Sequence, residues 1–476
     1  MASRQSLVAL VACSLILAAC TETGTTADPV APPDVFAPTP SIGELTPTTR
    51  ARPAPGTTVD VDTSFVYRVD PRTLDPLPEL DPIPMGGWSW GVSSPNGRWL
   101  ALLFGNDSGL NEGVRLIDVP DWRVVGDWTQ LSGSPMSVSD DGVIHTYLFL
   151  APHPQLVRIG VGVDQPGTVA DLPSEFSPWD SPRLWQDRIV LTGQDFDPIS
   201  GLSILTVISV DQSTGIIGET ELPETGIGAT ELIDLGNGQT GVVDSFPALV
   251  WDEGNGRILV VHAIDDLVTA YDLDTGETTE HRFGPATDAG APVPQNELND
   301  ADLWATTGRT AVLGQNGMVL YVAGSVGGFV QTDDSPTSLT TPSGIMAVDT
   351  GTWEIVDRLE APISVVFMSP DGRRLLGTGY TEESGPTTYS VESSGVYLID
   401  PADLEVITHH PPDRGEEYLG RMSFSQDGSL AYVTSYSTVE QVDVIDLDSG
   451  EVVANRTGIQ VYGEAATVAD ISGGGP

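Results

Sequence analysis

MSFSQDGSLAYVTSYSTVEQVDVIDLDSGEVVANR, residues 422–456, sets the pattern on which the chain is built. An apolar run ends in Ser425-Gln426-Asp427-Gly428, and a second run, Leu430 to Val433, follows. A third, Val442 to Ile445, is closed by Asp446-Leu447-Asp448-Ser449-Gly450, and Val452-Val453 opens a fourth. Short β-branched and aromatic runs bounded by Gly, Pro, Asp and Asn read as strands. Four of them joined by tight turns make one repeat.

Both turns recur. The first appears as Ser94-Pro95-Asn96-Gly97, Ser139-Asp140-Asp141-Gly142, Gly254-Asn255-Gly256, Gln315-Asn316-Gly317 and Ser369-Pro370-Asp371-Gly372. Pro presets φ, Asn and Asp tolerate the left-handed region, and Gly takes φ > 0 without a steric cost. The second opens on Asp118, Asp211, Asp272, Asp349, Asp400 and Asp446, where a carboxylate can accept from N–H groups of its own turn. Two alternating hairpin signals at roughly 40 to 60 residues predict four-stranded sheets in series. One such sheet cannot bury both faces, but a ring of them can, so the expectation is an all-β propeller of four-stranded blades.

Ser-Pro-Asp-Gly-Arg-Arg-Leu-Leu (369–376) with Val-Tyr-Leu-Ile-Asp (396–400) resembles the YVTN-type, WD40-like repeats of bacterial β-propellers. Asp-Gly-Ser-Leu-Ala-Tyr-Val-Thr-Ser (427–435) with Val-Asp-Val-Ile-Asp (442–446) does so too. The resemblance implies a fold shared by scaffolds, ligand binders, lactonases and quinoproteins, and no single activity.

Taken in order, the chain opens with Arg4, an apolar run from Leu7 to Ala19, and Leu17-Ala18-Ala19-Cys20, which resembles a bacterial lipobox. Residues 1–19 read as a lipoprotein signal peptide, with lipidation expected at Cys20. An ordinary secretory signal is the alternative. The lipobox implies an extracytoplasmic protein held to the membrane by lipid. Cys13 falls inside the signal, so no disulfide or thiolate metal site is expected. Residues 20–60, rich in Pro, Thr and Ala, read as a disordered tether. The propeller is expected over 61–476.

Within it, Phe65–Val69 and Leu74–Leu80 look like strands three and four of a sheet whose first two are missing locally. Seven fuller units follow, at about 86–130, 134–172, 178–222, 244–283, 301–360, 362–410 and 417–456. The tail from Gln460 to Ile471 can supply strands to the opening hairpin and so close the ring with the two chain ends. The count is eight with that composite blade, seven without it.

Sixty-seven acidic residues face 20 basic ones, all of them Arg, for a net charge of −47. Such a field disfavours nucleic acid and anionic lipid as partners. Lysine Schiff-base chemistry is excluded because the chain has no lysine. No Gly-x-Ser-x-Gly or HExxH motif is present, and the six histidines are scattered.

In such a blade the 1–2 and 3–4 turns share one face, and the 2–3 loops and blade connections share the other. Long 2–3 loops are expected at 195–201, 324–344 and 379–395, and long connections at 222–243 and 283–300. Function is therefore expected on the long-loop face. Asp265, Asp266, Asp300 and Asp302 fall there and form a candidate site for a divalent cation such as calcium, against the reading that they are solvated loop acids. The favoured function is a membrane-anchored module that binds a protein or an envelope glycan. The alternatives are a lactonase- or quinoprotein-type enzyme, or a binder of a small solute or metal.

Overall fold

The computed structural model describes residues 65–468 except 86–88, 106–110, 130, 132–134, 151–152, 164–165, 197–202, 237–238, 264–265, 284–301, 332–335, 385–388, 413–416, 437–439 and 463–464. The described chain is all β, a propeller in which five sheets have four strands each. Its only helical piece among the described residues is a 3-10 turn, Glu253–Asn255, and no helix is long and apolar enough to cross a membrane.

Both turn signals do what their chemistry predicts. Asp211 Oδ1 accepts from the backbone N–H groups of Ser213 and Thr214 at 3.0 and 2.8 Å, and the same arrangement recurs at Asp272, Asp349 and Asp446. In the 1–2 turns Ser94, Ser369 and Ser425 each lend a hydroxyl to the residue two on and accept from the N–H five on. The position four after each Asp needs φ > 0. Glycine fills it at 215, 276 and 450, whereas Leu74, Trp122, Trp353 and Leu404 adopt φ of 57°, 45°, 60° and 53°. These four side chains are all buried. Burial of a large apolar side chain, about 1.5–3 kcal/mol, offsets the left-handed cost of about 1–2 kcal/mol.

Four of the four-stranded sheets are local: Ser89–Ser93 to Arg123–Thr129, Met136–Val138 to Gly167–Asp171, Ala248–Asp252 to Thr278–Arg282, and Glu417–Phe424 to Val452–Thr457. The fifth joins distant segments in the order Ile83–Pro84, Phe65–Arg68, Ala465–Val468, Ile459–Tyr462. Phe65 pairs with Val468 and Arg68 with Ala465. The outermost strand differs from expectation. It is Ile83–Pro84, because residues 70–74 form an Asp-led turn of the type above, with Arg72 and Thr73 donating to Asp70 Oδ1 at 2.9 Å.

The sheet at 176–226 has five strands because its first is split into Phe176–Pro178 and Arg183–Trp185. The remaining sheet has ten. Two hairpin series make up most of it, Asp302–Leu313 to Ile355–Leu359 and Val365–Met368 to Val406–His410. A further hairpin, Gly228–Gly236 with Gln239–Phe246, runs parallel to the first series through Asp244, Ser245 and Phe246 opposite Thr306, Thr307 and Gly308.

Apolar clusters lie between successive sheets. One carries Leu103 and Leu116 of the 89–129 sheet with Ile144 and Ile159 of the next. On either side of the sheet built from both chain ends, Val66 and Ile83 pack on Leu100 and Leu102, and Val69 and Leu74 pack on Tyr432 and Val444.

Candidate binding face

The two ends of the molecule differ in construction. At the tight-turn end, neighbouring turns are bonded to each other: Asp140 accepts from the Asn96 N–H at 2.9 Å and from Trp99 Nε1 at 3.1 Å. Gln426 Nε2 donates to the Asn96 carbonyl at 2.7 Å, and Arg72 meets Asp446 at 2.6 Å. Glycines permit this close approach. A Cβ on Gly372, at φ 68°, would stand 2.5 Å from Gln315 Cβ. An open cleft of about 580 Å³ also lies at this end, between the turns after Gly160 and Asp211, lined by Arg158, Thr168, Gln212, Ser213 and Thr214. It is a depression between two turns rather than an enclosed site, and no buried charge lines it.

At the other end, the segments expected as loops at 324–344 and 379–395 are strands for most of their length. Val319–Gln331 pairs with Pro336–Asp349, and Leu375–Ser384 with Tyr389–Ile399. Each hairpin shifts register where it leaves its blade, after Ala323 and after Thr378. The device is the same in both. Ser343 Oγ donates to the Gly324 carbonyl and Ser394 Oγ to the Gly379 carbonyl, both at 2.9 Å, and Gly344 and Gly395 take φ of 83° and 81°. Such bulges add twist and re-aim a strand. The two re-aimed arms then pair with each other, Ser338 opposite Ser384 and Thr340 opposite Glu382. With the 228–246 hairpin they form one continuous β surface at this end.

The sequence-predicted acids are only partly placed. Asp265 and Asp300 lie outside the described residues, as does Cys20, and Asp302 is described only as the first residue of a strand. Asp266 is partly exposed, and its Oδ1 stands 3.6 Å from Nη2 of buried Arg309. Among the described residues no group of three His, Cys, Asp or Glu side chains is arranged to hold a metal. Arg309 and the paired Ser-Gly bulges were missed by sequence reasoning. The repeat of a Gly on strand two with Ser-Gly on strand three, at 324/343–344 and 379/394–395, is the signal that marks the bulges.

Three of the histidines make polar or stacking contacts. His262 Nε2 lies 3.0 Å from Thr225 Oγ1 and 2.8 Å from Thr269 Oγ1, and His281 and His409 stack on Trp353 and Tyr397. His145 is buried within Val143–Leu150, and desolvation, helped by Arg158, pulls its pKa down from 6.5 to about 4. The folded state thus binds fewer protons than the unfolded one between these values. Stability from this residue is full above pH 6.5 and is lost as pH falls toward 4, by about 3 kcal/mol. The unfolding midpoint is expected to fall over that interval in the native protein and to fall less in His145→Gln. Parallel slopes in the two proteins would remove His145 as the cause. The turn carboxylates act lower: hydrogen bonds from Ser213 and Thr214 hold Asp211 at about 2.

No protein-family model matches the sequence, and no curated protein does. Among solved structures the chain is similar to dihydro-heme d1 dehydrogenase NirN in complex with DHE, at 15% identity over 92% of this chain and 83% of that one, with a TM-score of 0.48. It is similar to BamB from Moraxella catarrhalis at 12% identity, over 85% of this chain and 98% of that one, with a TM-score of 0.46. For TolB from Acinetobacter baumannii the values are 13%, 80%, 78% and 0.31. At these identities no ligand or partner passes from those proteins to this one.

Proposed function

We propose that the chain is a lipid-anchored, extracytoplasmic β-propeller that binds a protein or an envelope glycan through the face bearing the long hairpins. In this reading residues 1–19 are a signal peptide, Cys20 carries the lipid, residues 20–60 are a tether, and the propeller over 61–476 has eight blades in a ring closed by its two ends. The observation that carries the binding reading is the asymmetry between the two ends. One is bonded turn to turn, and the other projects paired arms as a single surface. Paired hairpins projecting from a rigid support suit extended macromolecular partners better than small solutes. A divalent cation held by Asp265, Asp300 and Asp302 belongs to the same proposal, with the smallest share for Asp266, which already faces a guanidinium.

The test replaces 324–344 and 379–395 by two-residue Asn-Gly turns, cutting each arm at its bulge. Partner captured from envelope extracts by the native protein is expected to be lost by this variant and kept by Ile216→Asp, a change at an exposed site on the opposite end. Equal capture by all three, or substrate turnover by the purified protein, sinks the reading. A chelator that leaves the unfolding midpoint of the native protein unchanged removes the cation.

A further inference from the structure

Three of the ten tryptophans, Trp179, Trp185 and Trp251, meet at one seam, between the sheet at 176–226 and the sheet running from Ala248–Asp252 to Thr278–Arg282. Fourth strands such as Thr278–Arg282 are the exposed strands of their sheets, so first strands stand on the channel side. Trp179 lies between the two halves of the split first strand, and Trp251 lies on Ala248–Asp252. Both pack at the margin of the buried core of the seam and both stay partly exposed. Strand position explains this, because a side chain at the inner edge of a sheet is covered by the neighbouring blade but not from the channel. Phe246, also partly exposed, stacks on Trp179 with ring centres 5.6 Å apart and planes at 19°. It pairs with Gly308 in the sheet of the arms, which puts the stack at the root of the long hairpins. Arg183 links the two tryptophans. Its guanidinium lies 5.0 Å from the centre of the Trp251 ring, and its Nη2 stands 4.0 Å from Oδ2 of Asp180, the residue after Trp179.

We propose that the channel side of this seam is a subsite for neutral sugar rings, with Trp179 and Trp251 as stacking faces and Asp180 and Arg183 as polar partners. A pyranose has an apolar C–H face and a rim of hydroxyls. The face needs an aromatic ring, and the hydroxyls need an acceptor and a donor beside it, which a carboxylate and a guanidinium supply. The side chains of Arg183 and Asp180 are 43% and 33% exposed, so a solute can reach both. Other ligand classes fit less well. A net charge of −47 repels anions, and Arg183 already places a cation over Trp251. A wholly apolar ligand would cover Asp180 and Arg183 without giving them partners. The inference rests on the long-hairpin face being the binding face, and it selects a glycan over a protein as what that face receives.

The experiment titrates chitotetraose, cellotetraose and maltotetraose, with tetragalacturonate as the charged comparison, into the full chain in detergent, followed by tryptophan fluorescence and calorimetry. At least one neutral chain is expected to bind saturably and change the tryptophan emission, with tetragalacturonate about tenfold weaker or more. Trp179→Ala is expected to weaken binding about tenfold, and Trp179→Phe to keep most of it. Arg183→Ala alters an exposed side chain and is expected to weaken binding about tenfold as well. No saturable response to any neutral chain overturns the proposal, and a protein partner captured by the arms would then leave the capture reading standing. Tetragalacturonate equal to the neutral chains overturns the neutral assignment. Should Trp179→Ala fail to fold, an unchanged affinity in Arg183→Ala overturns the placement at this seam. Sugar binding by the native protein, together with undiminished capture by the trimmed one, overturns the arm reading and leaves this one standing.

Discussion

A chain ending at Gly458 is expected to lose about 5 °C or more of its unfolding midpoint and to expose apolar surface to dye. Ile459 and Val461 are each 9% exposed and pack with Val69, Leu74, Tyr432 and Val444. Their removal alone forfeits about 1.5–3 kcal/mol for each side chain. The truncation also deletes Ala465–Val468, which pairs with every residue of Phe65–Arg68. That strand would keep only the two-residue Ile83–Pro84 as neighbour and present a free edge. Calorimetry of the native and truncated proteins decides the matter. A midpoint unchanged within error would mean that the sheet built from both ends contributes nothing to the stability of the rest.

Arg115→Ala is expected to cost about 3–5 kcal/mol in urea denaturation. Arg115 is 5% exposed, its Nη2 lies 2.6 Å from Asp127 Oδ2, its Nη1 bonds the Pro84 carbonyl, and its guanidinium lies 5.0 Å from the centre of the Phe104 ring. It therefore ties the sheet holding both chain ends to the one after it. Removing it strands a buried carboxylate, whereas the double change Arg115→Met with Asp127→Leu removes both charges and is expected to recover most of the loss. The exposed pair of Arg456 and Asp75 gives the contrast, with Arg456→Ala expected to cost at most about 1 kcal/mol. Equal effects of the two alanine changes would show that burial does not set the strength of the Arg115 pair.

The four-stranded units were legible in the sequence because their turns require particular chemistry. An Asp that accepts from its own backbone, followed four residues on by a position at φ > 0, can be read wherever glycine fills that position, as at 215, 276 and 450. At Leu74, Trp122, Trp353 and Leu404 the same conformation is held by burial against a neighbour, a tertiary fact that local sequence does not carry. The turns after Asp118, Asp349 and Asp400 were read from the Asp alone, whereas the one after Asp70, with Leu74 in place of glycine, was missed and the strand after it misplaced. The hairpin arms were missed for a related reason. Gly, Ser, Thr and Pro at 324–344 read as loop, yet the segment pairs with itself as a hairpin and, at 338–340, with the second arm at 382–384. The site chemistry was the least legible part. Arg309 is one arginine among 20, and its character comes only from what surrounds it in space.

The strand Phe65–Arg68 has its main partner about 400 residues away along the chain. At a synthesis rate of 5–20 residues per second, it waits roughly 20–80 s before Ala465–Val468 exists. During that time it has only Ile83–Pro84 beside it and presents a free edge that proteases and chaperones can reach, and the sheets between can fold before it is covered. Residues 465–468 thus set when this sheet can be completed. Chains interrupted before residue 465 share the fate expected of the truncated variant.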